Sequence, residues 1–114
     1  MSVKLNTRQV GDVSVVDVAG RITLGEGSSA LRDTLRDMIT KNQKKILLNL
    51  GDVSYIDSSG IGELVSGFTT VANLGGHLKL LNLTKRIQDL LQITKLYTVF
   101  EVFDDEAAAL ASFN

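Results

Sequence analysis

With 114 residues, 44% of them apolar and 22% charged, the chain has the length and composition for one domain around one core. Twelve basic residues against thirteen acidic ones leave a net charge of −1 and no basic stripe for nucleic acid, and the lack of cysteine excludes disulfides, a thiolate nucleophile and a cysteine–zinc site. The lone histidine, His77, builds neither a metal site nor a histidine-dependent triad, and with no signal-peptide core or membrane-spanning run a reducing cytoplasm is the expected compartment.

Weak alternation over Val3 to Gln9 reads as a first strand. Gly11-Asp12 reads as a hairpin turn into the valine-rich strand Val13 to Gly20. "GEGSS" then opens a helix with its apolar stripe on Leu31, Leu35, Met38 and Ile39, and Ser28 or Ser29 as the expected cap. "KILLNL", Lys45 to Leu50, is an almost unbroken apolar run, as in a strand buried on both faces of a parallel sheet.

A second helix follows Ser58-Ser59, with Ile61, Leu64, Val65, Phe68 and Ala72 as its inward stripe and Gly75 or Gly76 as its left-handed end. His77 to Leu83 is the next strand. Thr84 caps a third helix that turns Ile87, Leu90, Leu91 and Thr94 inward. Thr98 to Phe103 reads as a last strand, and Asp104 or Asp105 caps the terminal helix "EAAALA". The order β-β-α-β-α-β-α-β-α predicts an α/β fold: one mixed, mostly parallel sheet of four to five strands with helices packed on it.

"GEGSSA", Gly25 to Ala30, fits the G-x-G-x-x-G/A pattern of a dinucleotide loop between a strand and a helix. Glu26 would sit where a pyrophosphate must approach, and the chain has no room for two mononucleotide-binding halves. A small nucleotide-binding enzyme is thus the rival reading of another class. Ser58 and Ser59 do not lie in a G-x-S-x-G elbow, and a serine nucleophile needs a base that His77, at a loop edge, is poorly placed to supply. Asp104 and Asp105 read as a helix cap rather than an acid/base pair. No metal or cofactor site is expected.

The stretch "YIDSSGIGELV" carries more information. Asp57, Ser58 or Ser59 can cap the amides of the second helix. Gly60 and Gly62 fall in its opening turns, where each costs about 1 kcal/mol relative to alanine, so a close approach by a phosphate or a protein would account for them. Gly60, Glu63, Ser66, Gly67 and Thr70 fall on the outward side of the predicted helix, a weakly charged face suited to docking or to packing against the third helix.

"DVSYIDSSGIGELV", together with "VAGRIT" and "LLNLTKRIQDLLQITKLYTVFEVFDDEAAAL", resembles the STAS domain family, in particular its stand-alone anti-sigma factor antagonists, over essentially residues 1–114 as a single domain. The resemblance implies a non-enzymatic binding module phosphorylated on the first serine of the box, Ser58. An anti-sigma factor serine kinase would phosphorylate it and a serine phosphatase would restore it. The unmodified form would bind the kinase and release a sigma factor. The implied partner surface comprises Thr23, Asp57, Ser58, Ser59, Gly60, Gly62, Glu63, Ser66 and Gly67, together with the nearby "RITLGEG" loop, with no nucleic acid, no membrane, and a monomer or weak dimer. A STAS scaffold or transporter-associated subunit that is never phosphorylated is the alternative within the same fold. Two residues depart from the family pattern: Thr23 stands where an acidic residue is frequent, and Lys95 stands where a glycine usually precedes the leucine that follows the third helix.

Overall fold

The computed structural model describes residues 3–114. Five strands, β1 (Val3–Val10), β2 (Val13–Ile22), β3 (Lys45–Ile56), β4 (His77–Leu81) and β5 (Val102–Phe103), lie side by side in chain order in one sheet. β1 pairs antiparallel with β2, and every later pairing is parallel. The helices are α1 (Glu26–Thr40), α2 (Ser58–Asn73), α3 (Lys85–Ile93) and α4 (Glu106–Ala111).

The apolar run of β3 divides between two cores, as its two-faced burial requires. Ile46, Leu48 and Leu50 enter the larger core with Leu31, Leu35 and Met38 of α1, Ile61, Leu64 and Val71 of α2, and Ile87 and Leu91 of α3. Leu47 points the other way, to Val13, Val15, Leu81, Ala109 and Phe113 under α4. Buried Lys79 clamps that smaller core: its Nζ lies 2.9 Å from the Ser112 carbonyl and 4.7 Å from the Phe113 ring centre.

Besides β2 running on to Ile22 and β4 ending at Leu81 instead of Leu83, several details differ from the sequence reading for local reasons. β3 does not stop at Leu50: Val53 and Ile56 also reach the core, and β3 accommodates one extra residue against β2 between Asn49 and Asp52 and another between Val53 and Tyr55. α1 starts at Glu26, with Gly25 at φ 102 as its cap residue, and Ser28 is drawn inside instead of capping. The last strand shrinks to Val102–Phe103, because Phe100 turns into the core edge-on to Phe68, ring centres 5.4 Å apart. Ala72 and Thr94 are exposed, and the Thr94 hydroxyl bonds back to the Leu90 carbonyl at 2.7 Å.

Lys95 takes φ 61 in the position where glycine would be unstrained. Its amide donates to the Gln92 carbonyl at 3.1 Å and that of Leu96 to the Leu91 carbonyl at 2.8 Å, so a left-handed cap closes α3 in spite of the side chain.

Candidate functional site

β2 and β3 end together, with Ile22 paired to Ile56, and at this carboxyl rim β3 hands over to α2. Asp57 is the cap residue in extended conformation, φ −112 and ψ −174. One oxygen of its carboxylate accepts from the Ser59 amide at 3.0 Å, the Gly60 amide at 3.2 Å and the Ser59 hydroxyl at 2.5 Å. The other accepts from the Leu24 amide at 3.1 Å, which pins the β2–α1 loop to the start of α2. The Ser59 hydroxyl and these amides hold the Asp57 carboxyl below the usual carboxylate range, against an opposing effect of desolvation.

The two serines of the box fare differently. Ser59 is half-buried, and with its own proton on Asp57 its Oγ can accept, at 2.7 Å, from the hydroxyl of buried Ser28, whose single proton it shares with the Thr23 carbonyl 3.0 Å away. That chain ties α2 to α1 and to the loop before α1. Ser58 is exposed, and its side chain makes no hydrogen bond to the described residues. The cap serves the amides of Ser59 and Gly60 but not that of Ser58, so hydroxyl and amide face solvent at the positive end of the helix dipole.

The remaining predicted surface residues separate into two groups. Gly62 has open space where a Cβ would stand, Ser66 is exposed, and the half-buried Glu63 carboxylate lies 3.7 Å from the Arg32 guanidinium of α1. Thr23 is half-buried and contributes its carbonyl to Ser28. Gly60 and Gly67 are not on the outward face. A Cβ on Gly60 would lie 2.6 Å from Ile56 Cγ1 and 2.7 Å from the Ile22 carbonyl, and one on Gly67 would lie 2.7 Å from Leu35 Cδ1. Both glycines therefore answer to internal packing, Gly60 at the sheet rim and Gly67 against α1 rather than α3.

The rim also exposes a large apolar side chain of the "RITLGEG" loop. Leu24 is 82% exposed, the most exposed of the large apolar side chains among the described residues, on the loop that Asp57 holds. The "GEGSSA" loop turns inward: Gly27 is buried against the β2 backbone, and both the amide and the hydroxyl of Ser28 go to the Thr23 carbonyl. His77 begins β4 beside Lys45, at the opposite end of the parallel strands from Ser58. Among the described residues no cluster of histidine, cysteine or carboxylates could hold a metal, and no helix is long and apolar enough to cross a membrane.

The family model for the STAS domain matches residues 4–109. The chain belongs to the STAS domain family. It is similar to the anti-sigma-B factor antagonist of Bacillus subtilis (strain 168), 32% identical over 102 residues that cover 90% of this chain and 92% of the relative. Its fold is that of an anti-sigma factor antagonist from Mycobacterium paratuberculosis, TM-score 0.88 at 18% identity, with 98% of this chain and 94% of the other covered. The phosphorylated form of the Bacillus cell fate determinant SpoIIAA aligns with TM-score 0.77 at 18% identity, over 97% of this chain and all of the other. The expected STAS architecture, one mostly parallel five-stranded sheet with helices packed on it, is the one observed.

Proposed function

We propose that this STAS domain is an anti-sigma factor antagonist, a non-catalytic binding module of the cytoplasm that docks on an anti-sigma factor serine kinase and is released when that kinase phosphorylates Ser58. The observation that carries the reading is the contrast within the box: the Ser58 hydroxyl is exposed and unbonded, and the Ser59 hydroxyl is held by Asp57 and Ser28. A kinase can reach the first without unfolding anything. A free hydroxyl at a helix start supports the switch over a silent scaffold, which has no need of one.

The geometry also accounts for a switch without refolding. A phosphate on Ser58 adds about −1.5 to −2 charges at an end where helix amides and the dipole tolerate an anion. Its effect falls on the docking surface. Leu24, Ser58, Gly62 and Ser66 are exposed there and uncharged, so an unmodified partner can lie flush against them. A dianion in that contact must lose its water beside the Asp57 carboxylate, and each 1.4 kcal/mol of that penalty weakens binding tenfold. A serine phosphatase resets the surface by removing the group.

The test is incubation with the partner kinase and ATP, followed by intact mass and peptide mapping. The expected product carries one phosphate, on Ser58, and Ser58→Ala carries none. A phosphate mapped to Ser59 or to another element would overturn the reading.

A further inference from the structure

Three residues from three elements meet at the same rim without an assigned role. Arg21 of β2 lies opposite Tyr55 of β3 in the parallel ladder, and its guanidinium carbon sits 4.8 Å from the centre of the Tyr55 ring. Arg86, the second residue of α3, places its own guanidinium carbon 4.1 Å from that centre. Both arginines are exposed. Neither joins an ion pair or a side-chain hydrogen bond among the described residues, whereas Arg8 bonds Asp17 and Glu106.

Two like charges on one ring repel each other, and the negative ring faces offset that repulsion only in part. Held over the ring with no carboxylate or carbonyl partner among the described residues, each guanidinium keeps its N–H donors free, and a guanidinium with free donors takes a carboxylate in bidentate fashion. The stack is continuous with the proposed docking surface: Tyr55 is three residues from Ser58, and the Ile22 carbonyl next to Arg21 accepts the Asp57 amide at 3.2 Å. In a chain of net charge −1, an uncompensated pair of cations here singles out the charge its partner must present.

We propose that the Arg21–Tyr55–Arg86 stack is a second contact of the docking surface, which receives an acidic segment of the partner that covers Ser58. This rests on the kinase-docking reading above and names the chemistry of the partner at one further point. It also couples to the switch, since a phosphate on Ser58 places negative charge on the same rim and weakens its attraction for carboxylates.

The test compares association of the kinase with wild-type protein and with the double variant Arg21→Gln/Arg86→Gln, at 50 and 500 mM NaCl. Lys85→Gln, at an exposed lysine of the same helix that pairs with Asp89 instead of Tyr55, serves as a control. The double variant is expected to associate about tenfold more slowly at low salt and to lose most of the salt dependence, with Lys85→Gln close to wild type. Double Arg→Lys substitution should recover part of the rate, as charge without the stack. An unchanged rate and salt dependence in the double variant, with binding still abolished by Ser58→Asp, would overturn the second contact and leave the docking reading standing. If no kinase binds the wild type, the docking reading fails, and titration of 15N-labelled protein with hexaglutamate decides the stack alone. Shifts clustered on Arg21, Tyr55 and Arg86 that vanish in the double variant support it, and scattered or absent shifts refute it.

Discussion

Replacing Gly60 or Gly62 by alanine is expected to move stability in opposite directions, although the two glycines are only two residues apart. At Gly60 the new methyl would meet Ile56 Cγ1 at 2.6 Å, the Ile22 carbonyl at 2.7 Å and Ile22 Cγ2 at 2.8 Å. The carbonyl has little freedom to retreat, because it also accepts the Asp57 amide, and the Gly60 amide is itself held by the Asp57 carboxylate. Overpacking of this kind costs about 1–3 kcal/mol, and the gain in helix propensity returns up to about 1 kcal/mol, so a net loss of about 1–2 kcal/mol is expected. At Gly62 nothing lies within 4 Å of the new methyl, and alanine should stabilise the helix by up to about 1 kcal/mol. Urea and thermal unfolding of the two variants measure the difference, about 4 °C per kcal/mol for a chain of this size. Gly62→Ala should nonetheless weaken kinase binding, because the methyl projects into the proposed contact. A Gly60→Ala protein as stable as wild type would refute the packing argument, and a destabilised Gly62→Ala protein would refute the open position assigned to that glycine.

Ser59→Ala should cost about 1–3 kcal/mol, since buried Ser28 and the Asp57 carboxylate each lose a partner, and peptide mapping should still find the phosphate on Ser58. Lys95→Gly should raise stability by about 1 kcal/mol by relieving the left-handed conformation at φ 61, as read from the urea midpoint. Acid should unfold the protein through its low-lying carboxylates. Asp57, Asp17, Glu106 and Asp12 are all held below their ordinary values, the first by Ser59, the next two by Arg8 and the last by Lys45. Their contributions are present above the unfolded-state values near pH 4 and are lost as pH falls through the lower folded values. Urea midpoints level from pH 7 to 5 and falling below pH 4 are expected, with a shallower acid fall in Asp57→Asn.

The fold was legible wherever hydrophobic period and capping chemistry agree. Leu31, Leu35 and Met38 mark α1, Ile87 and Leu91 mark α3, and the caps Asp57, Thr84 and Asp105 sit where their side chains reach free amides. Boundaries were misread where tertiary pairing overrides local signals. Gly51-Asp52 has turn chemistry, yet it continues β3 because β2 runs alongside with a shifted register. Thr98 to Phe100 has strand propensity but forms a turn that delivers Phe100 to Phe68. At the site, the residue types were readable and their directions were not. Glycine carries no hydropathy, so nothing in the sequence turned Gly60 and Gly67 inward. Ser58 and Ser59 differ only by one step around the helix, and that step decides which hydroxyl is free. The Arg21–Tyr55–Arg86 stack needs β2, β3 and α3 assembled before it exists.

Charge at Ser58 alone is expected to end docking. The direct measurement is the affinity of the partner kinase for two preparations of this chain, unmodified and fully phosphorylated on Ser58, with amide NMR spectra of both. The prediction is affinity at least tenfold lower for the phosphorylated form, with spectral changes confined to the rim around Leu24, Asp57 and Ser58. Equal affinity for the two forms would contradict release by charge on Ser58, and a spectrum altered throughout the sheet would contradict a switch that leaves the fold intact.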